Sequence, residues 1–304
     1  GPLPGAGDGE TALRQAVAAQ LDAGLELVTE AGALLRDRDA AILRAIEGGD
    51  TGPGGLAVRT WRATAEAVRA VGGSGTSAAV AATITGPYTL ARRTASGDGA
   101  MLGSRLQGEL VALAAAGCQL VVVDEPDAAT IGTDDVLRDR FRAAQRALLP
   151  GDPPLHAMLA ITGGSAWDAG PETILEAPYA SYLLDLLAGP DNWDLARAVP
   201  GDRGIVCAAL RVPSAEDQAP VLVWAAQYAA SMRARGLGRV GLANASSLGG
   251  LSIEDAAAAL AALGRAAMLA AMEPEEAIAA GLDRRTFAQP PGRGARRQGM
   301  VPRG

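Results

Sequence analysis

Two carboxylates at the end of an apolar run are the groups in this sequence best placed for chemistry. Three valines ending at Val123 are followed by Asp124 and Glu125, and Pro126 then ends the extended segment. Asp124 is suited to bind an ammonium group or to act as a base, whereas capping a helix or bridging a loop fits the pattern equally well. Because neighbouring strand residues point in different directions, we expect Glu125 to be structural.

A second motif follows another apolar run. The residues Thr-Gly-Pro-Tyr-Thr-Leu occupy 85–90, directly at the end of the run Ala79–Thr85. Gly86 allows the backbone to approach a ligand closely, and Pro87 fixes the turn into a following helix. An ordinary turn between a strand and a helix has the same composition, so this motif alone leaves both interpretations open.

The rarest residue types exclude several mechanisms. The chain contains no lysine, so all 27 basic residues are arginines. This excludes a Schiff-base lysine, a P-loop lysine and a pyridoxal phosphate anchor. The single histidine, His156, excludes any mechanism that needs a histidine pair. The two cysteines, Cys118 and Cys207, form no CxxC pair, so neither a disulfide framework nor a zinc ribbon is indicated.

Charge and hydropathy indicate the compartment and the partners. The net charge of −7 argues against a general nucleic-acid binder. No uninterrupted apolar run approaches the roughly 20 residues that span a bilayer, and the N-terminus lacks the layout of a secretory signal. We therefore expect a cytoplasmic protein that acts on a small-molecule substrate and binds neither nucleic acid nor membrane. The oligomeric state stays open.

Short β-branched runs alternate with longer stretches of helical period, which indicates βαβ units around a parallel sheet. Strands are predicted at Leu25–Thr29, Ala79–Thr85, Gln119–Val123, Leu155–Thr162, Ala180–Asp185, Gly204–Leu210 and Arg239–Ala243. Helices are predicted at Thr11–Ala23, Leu56–Val71, Gly103–Ala116, Asp134–Leu149, Ser214–Arg235 and Ser252–Ala271.

This alternation predicts an α/β fold in which residues 1–283 form a single TIM-type (β/α)8 barrel. Its ligands would bind at the C-terminal ends of the strands, called the mouth below. Only seven strands are predicted and a helix follows Gly1–Pro4 at once, so the first strand is missing or irregular, with Gly1–Pro4 near the mouth. An open doubly wound sheet is the alternative. Residues 284–304 are expected to form a disordered Arg/Gly/Pro-rich tail.

The two motifs, at this spacing, resemble hallmarks of the cobalamin-independent methionine synthase family and of the related uroporphyrinogen decarboxylase barrels. The segment Gln20–Gly24 and the Gly1–Pro4 start are also similar, and the resemblance extends to about Ala271. It implies the C-terminal catalytic barrel of that family. This barrel transfers a methyl group from methyltetrahydrofolate to a thiol such as homocysteine, which zinc holds as the thiolate.

The resemblance also implies zinc ligands, and here the chain departs from the family. His156 is retained, but Met158 and Ser247 stand where the family has its two cysteines, and the acidic ligand falls near Asp185. Thioether and hydroxyl groups are poor zinc ligands beside thiolate. Cys207 either completes a set with His156 and Asp185 or is a small core residue. Without partners, His156 is a remnant polar group or an acid/base residue.

Binding residues follow from the same resemblance. Asp124 belongs to the acidic motif, and Tyr88 lies in the segment 85–90. Glu30 is the carboxylate nearest to the position of the family's substrate-binding Glu, which falls on 31–33. Arg93 stands where the family has a Trp that stacks on the folate, and a guanidinium can also stack on a pterin.

Three functions remain compatible with the sequence. The first is a methyltransferase of the methionine synthase type whose zinc site is degenerate. The second is a metal-free barrel enzyme, such as a decarboxylase, that uses Asp124 and arginines at the mouth. The third is a catalytically silent homologue that binds a ligand or a partner. Because one barrel hosts many functions, the fold alone does not choose between them.

Overall fold

The computed structural model describes residues 9–32, 34, 37–94, 97–214 and 216–287. Its sheet consists of β1 Leu27–Val28, β2 Ala79–Thr85, β3 Leu120–Asp124, β4 His156–Ile161, β5 Ser181–Asp185, β6 Gly204–Leu210 and β7 Val240–Asn244. Its helices are α1 Gly9–Asp22, α2 Arg38–Gly48, α3 Leu56–Gly72, α4 Pro87–Arg92, α5 Gly99–Ala115, α6 Asp135–Leu148, α7 Pro171–Ile174, α8 Asn192–Ala198, α9 Ala219–Ser231, α10 Ile253–Ala271 and α11 Pro274–Ala279.

Each strand pairs in parallel with the strand that follows it in the sequence, from β1 to β7. A doubly wound sheet reverses its strand order at a switch point, so that alternative is wrong. Seven parallel strands curled into a half-barrel, with helices between consecutive strands, are consistent with a TIM-type barrel. The described part of the chain provides no eighth strand, and Gly1–Pro4 lie outside the described residues.

Strand positions follow the predicted pattern closely, with one exception. The strands β2 and β6 have the predicted bounds, β5 differs by one residue at its start, and β3, β4 and β7 differ by one residue at each end. By contrast, β1 contains only Leu27 and Val28, where a strand over Leu25–Thr29 was predicted. Among the strands, β1 therefore differs most from the prediction, and the residues just beyond it contribute to the candidate site.

The two faces of the sheet contact separate apolar cores. Outward-facing residues such as Ile84, Val123 and Leu159 pack against the helices in the main core. Inward-facing residues form a small cluster of Ala81, Val122, Met158 and Ala160 inside the barrel. Paired residues of neighbouring parallel strands point to the same face of the sheet. The residues that line the mouth are therefore those on the inward face at the C-terminal ends of the strands.

The end of the described chain packs on the barrel. Arg284–Phe287, the first residues of the predicted tail, form a 3-10 turn beside α9. Residues 288–304 lie outside the described residues. Of the helices that the structure describes, none combines the length and the apolar character needed to cross a membrane.

Candidate functional site

Asp124 lies at the mouth. It is the last residue of β3 and pairs laterally with Thr85 at the end of β2 and with Ala160 of β4. Its side chain is 32% exposed, and its Oδ2 lies 3.5 Å from Nη1 of Arg38. Burial raises the pKa of Asp124, and the positive charge of Arg38 opposes this shift. The predicted location and partial accessibility of Asp124 agree with the structure.

Glu30 and Arg38 complete a charged triad with Asp124. Arg38 Nη2 lies 3.4 Å from Oε1 of Glu30, whose side chain is only 4% exposed. Both contacts of Arg38 are longer than the roughly 2.7–2.9 Å of a strong charge-assisted hydrogen bond. Glu30 Oε2 and Arg38 Nε are buried, and within the part of the chain that the structure describes neither has a hydrogen-bond partner. The Glu30–Arg38–Asp124 triad thus holds one unused acceptor and one unused donor, and leaving such groups unpaired costs free energy.

The side chain of Gln20 positions the backbone that carries Glu30. Its Nε2 donates to the carbonyl of Thr29 and its Oε1 accepts from the Thr29 amide, both at 3.0 Å. Directly after Glu30, Ala31 adopts a left-handed conformation with φ 51°, so the chain turns away. Strand β1 therefore ends early, and Glu30 lies just beyond it, where its carboxylate reaches Arg38.

A second ionic cluster surrounds Arg93. The Arg93 guanidinium contacts Asp39 and donates to Asp127 Oδ1 at 2.9 Å. Asp39 Oδ1 in turn accepts a 2.6 Å hydrogen bond from the Thr85 hydroxyl, which ties the cluster to the end of β2. Arg93 is therefore near the mouth, as predicted, but two carboxylates already compensate its charge. This arrangement fixes the plane of its guanidinium.

Glu125 connects the two sequence motifs. It is fully buried; its Oε1 accepts from the Tyr88 amide at 3.0 Å, and its Oε2 accepts from the Thr89 amide at 2.7 Å. Gln145 Nε2 donates to Oε1 at 2.6 Å. A Cβ at Gly86 would lie 2.2 Å from Cδ of Glu125, so only glycine fits there. We call this arrangement the Glu125 clamp, and it agrees with the structural role expected for Glu125.

Tyr88 is not at the mouth, which corrects its predicted substrate-binding position. The Tyr88 ring is buried and packs edge-to-face on Phe141 of α6 at a centroid distance of 5.5 Å. The Arg92 guanidinium lies over the ring at 5.7 Å from its centroid. Burial raises the pKa of Tyr88. The first turn of α4, which the Glu125 clamp holds, directs this side chain into the helix layer.

His156 lies at the opposite end of the barrel from Asp124. It is the first residue of β4 and pairs with Leu120, the first residue of β3, whereas Asp124 pairs with Ala160. Four residues along a strand correspond to about 13 Å. His156 Nε2 lies 2.7 Å from the Ser181 hydroxyl, and burial lowers the pKa of its imidazole. The predicted strand Leu155–Thr162 also has His156 near its start, so the retained histidine of the resemblance lies away from the mouth.

The other two predicted zinc ligands, Cys207 and Asp185, also lie apart from His156 and from each other. Cys207 faces the helix layer, where its Sγ donates to the carbonyl of Ala225 at 3.8 Å, and burial raises its pKa to about 12. Asp185 lies at the end of β5, but its oxygens accept from three backbone amides at 2.8–2.9 Å, those of Gly163, Leu187 and Ala188. Cys207 is thus a core residue, and Asp185 holds its own loop.

These positions do not fit the predicted zinc set. A zinc site needs donors that converge within about 2.0–2.3 Å of one ion, whereas His156, Asp185 and Cys207 lie at different levels or on different faces of the sheet. Within the described ranges, no three His, Cys, Asp or Glu side chains are grouped so that they can hold a metal ion. The predicted ligand set came from the family resemblance, and the pairing of the strands shows that its three residues do not lie together.

The fold is similar to that of several solved structures. It is similar to a protein from Listeria monocytogenes assigned as a vitamin-B12-independent methionine synthase (TM-score 0.68, 17% identity, 87% of each chain). It is also similar to a B12-independent methionine synthase from Shewanella sp. W3-18-1 in complex with selenomethionine (TM-score 0.69, 15% identity, 89% of each chain). A methyltransferase from Methanosarcina mazei has a TM-score of 0.57, 12% identity and coverage of 84% of this chain and 85% of that chain.

The sequence matches no protein-family model and no curated protein. At identities of 12–17%, the similarity to the solved structures concerns the fold.

Proposed function

We propose that this protein is a methyltransferase-like barrel that binds an amino-acid-like small molecule at its mouth. Glu30 and Asp124 would take the ammonium group of this molecule, and Arg38 would take its carboxylate. One observation carries the proposal: Glu30 Oε2 and Arg38 Nε are a buried acceptor and a buried donor that find no partner among the described residues. A zwitterionic amino acid supplies both missing groups at once, because its ammonium donates and its carboxylate accepts.

The comparisons support an amino-acid ligand. The Shewanella protein was solved with selenomethionine, which carries one ammonium and one carboxylate group. For this chain, the corresponding reaction is methyl transfer from a methyltetrahydrofolate to a thiol such as homocysteine. Asp124 would accept a proton from the bound substrate, and burial supports this role because it raises the pKa of Asp124 towards neutral pH. Arg93, held at its edges by Asp39 and Asp127, would stack on the pterin through its flat face.

Binding measured by calorimetry tests the ligand class. We expect L-homocysteine and L-methionine to bind, and we expect Asp124→Asn to raise their Kd at least about tenfold, because one charge-assisted bond to the ammonium is lost. Asp139→Asn is the matched control, since Asp139 is an exposed residue of α6 that pairs with its helix neighbour Arg142. Equal affinity for 3-mercaptopropionate, which lacks the ammonium group, would contradict the proposal.

Zinc-dependent turnover is expected to be absent. The predicted ligands are scattered and Met158 and Ser247 replace the family's cysteines, so a thiol of pKa about 8.5 would lack the metal that normally deprotonates it. After incubation with zinc and dialysis, metal analysis should find far less than one zinc ion per chain. Stoichiometric zinc, together with methionine formation from homocysteine that disappears in His156→Ala, would overturn this expectation.

The scattered donors also favour a second function, that of a homologue that binds the amino acid without transferring a methyl group. Homocysteine binding that depends on Asp124, with no methionine formed from methyltetrahydrofolate, would assign the protein to this class. The decarboxylase alternative has less support, because a substrate with several carboxylates needs more uncompensated positive charge than the single carboxylate of an amino acid does. At this mouth, Arg38 and Arg93 are each shared between two carboxylates.

A further inference from the structure

Three aromatic side chains meet in the helix layer, where α8 contacts α9. Trp224 and Tyr228 of α9 stack at a centroid distance of 5.2 Å, and the Trp193 ring of α8 packs on them at 5.6 Å and 5.2 Å. All three side chains pack against the main core and remain partly exposed. We call Trp193, Trp224 and Tyr228 the aromatic face. In a chain that is only 3% aromatic, such a grouping is a distinct surface feature.

The aromatic face has an apolar and a cationic border. Val221 lies three residues before Trp224 on α9, so the two are neighbours on one helix face, and Val221 is 57% exposed. On the other border, the Arg197 guanidinium lies over the Tyr228 ring at 5.6 Å from its centroid. Scattered apolar residues are ordinary on a protein surface, whereas contiguous apolar patches with polar borders mark interaction sites.

The aromatic face also offers two hydrogen-bond donors. Within the part of the chain that the structure describes, the indole N–H groups of Trp193 and Trp224 have no acceptor, whereas that of Trp61 donates to the Val80 carbonyl. Rings that combine a large apolar surface with an available N–H group are enriched at interfaces. A suitable occupant therefore presents carbonyl oxygens beside apolar atoms.

The described part of the chain ends next to α9. Arg284–Phe287 contact α9, and Phe287 packs against the main core. Residues 288–304 come directly after Phe287. Four extended residues span about 13 Å, which exceeds the roughly 10–12 Å width of a helix with its side chains. The segment 288–304 is therefore long enough to pass over α9 to the aromatic face.

The chemistry of this segment matches that of the aromatic face. Its consecutive Pro290 and Pro291 favour a polyproline II conformation, whose backbone carbonyls are not paired within the chain. Such conformations dock on aromatic-lined surfaces, and arginines stack on Trp and Tyr rings. The segment contains four arginines and no acidic residue, so without it the net charge of −7 becomes −11. The rest of the chain therefore attracts it.

We propose that residues 288–304 bind back onto the aromatic face instead of forming a free tail, with Pro290 and Pro291 against Trp193 and Trp224. A tether of a few residues gives the segment an effective concentration on the order of millimolar, which favours it over a second copy or a separate protein. The proposal is independent of the proposed function, because the aromatic face shares no residue with the Glu30–Arg38–Asp124 triad.

Disulfide trapping in the full chain tests where the segment lies. Gly292→Cys places a thiol directly after the two prolines, and Val221→Cys places its partner at the border of the aromatic face. Met268→Cys, combined with the same Gly292→Cys, is the matched control. Met268 is 54% exposed, as Val221 is 57% exposed, and it lies on α10, which also packs against α9. The native Cys118 and Cys207 are both buried.

Under mild oxidation, we expect the pair with Val221→Cys to form a disulfide within one chain at least about tenfold faster than the control pair, because docking raises the local concentration of the thiol. Mass spectrometry of tryptic peptides identifies the bond. Replacing both prolines, Pro290→Ser with Pro291→Ser, should slow this reaction at least about threefold and leave the control unchanged, since the preformed polyproline II conformation is lost. Circular dichroism verifies that each variant is folded.

The other outcomes of this experiment contradict the proposal. Equal rates for the two pairs, or no disulfide in either, would mean that the segment does not occupy the aromatic face. A disulfide between two chains, seen as a dimer on a non-reducing gel, would assign the face to a second copy. A fast reaction that is insensitive to the proline substitutions would show that the short tether, and not recognition of the prolines, brings the thiols together.

Discussion

Replacing Gly86 by Ala is expected to lower the free energy of unfolding by about 2–4 kcal/mol. The new Cβ would lie 2.2–2.4 Å from Cδ, Oε1 and Cγ of Glu125, so the Glu125 side chain must move. That side chain is fully buried, and its oxygens accept from the Tyr88 and Thr89 amides and from Gln145. Displacing it leaves donors unpaired in the core. Urea denaturation measures the loss.

Gly108→Ala is the matched control for this substitution. Gly108 is an exposed helical residue of α5, and a Cβ built there meets nothing within 4 Å. Alanine in an exposed helix interior stabilises by about 0.5–1 kcal/mol relative to glycine, so the two variants should shift stability in opposite directions. If Gly86→Ala were as stable as the parent, the Glu125 clamp would not hold α4 in place.

The Glu125 clamp is also expected to make stability depend on pH. Burial raises the pKa of Glu125 from 4.5 to about 7, although the donors from Thr89, Tyr88 and Gln145 oppose this shift. The folded state then retains a proton that the unfolded state has already released. The stabilisation from this group is fully present below pH 4.5 and is lost as pH rises through 7, by about 3 kcal/mol in all.

The variant Glu125→Gln isolates this contribution, because the amide does not titrate. The difference in unfolding free energy, parent minus variant, should fall by about 3 kcal/mol between pH 4.5 and pH 8. Other carboxylates titrate equally in both proteins and cancel in the difference. A difference that instead grows with pH would mean that the hydrogen-bond donors outweigh burial and keep Glu125 ionised.

Both predictions bear on the mouth as well as on stability. The Gly86 amide donates to the Asp124 carbonyl at 2.8 Å, so the turn that Glu125 holds also fixes the end of β3. Calorimetric titrations with homocysteine on Gly86→Ala would therefore report on the geometry of Asp124. A variant that loses stability and retains homocysteine affinity would show that the mouth tolerates movement of α4.

The amino-acid pattern by itself was enough to predict the strands of the sheet and the two motifs that follow them. Apolar β-branched runs such as Ala79–Thr85 and Gly204–Leu210 form strands because both faces of a parallel strand are buried, which leaves a continuous signal. Asp124 could be placed at the mouth because Pro126 ends the extended run. At β1 the apolar pattern predicted too long a strand. The side chain of Gln20 forms hydrogen bonds with the Thr29 backbone, and the ladder ends after two residues.

The position of Cys207 shows what the sequence did not determine. The face on which Cys207 lies depends on the parity of its position in β6, and a shift by one residue reverses it. Only the pairing of the strands decided this face. For His156, the predicted strand already gave its place near the start of β4, and the pairing with β3 sets it level with Leu120.

Only the tertiary structure decided the partners of the charged residues. Arg38 meets Asp124 across 86 positions of the chain, and Glu125 meets the first turn of α4 from 36 and 37 positions away. No local pattern in the sequence encodes such distances. These contacts form because β1, β2 and β3 end at one edge of the sheet. A charged group buried at this edge has lost its hydration, so its burial is tolerated only with a compensating partner. The packing of the helices decides which residue that partner is.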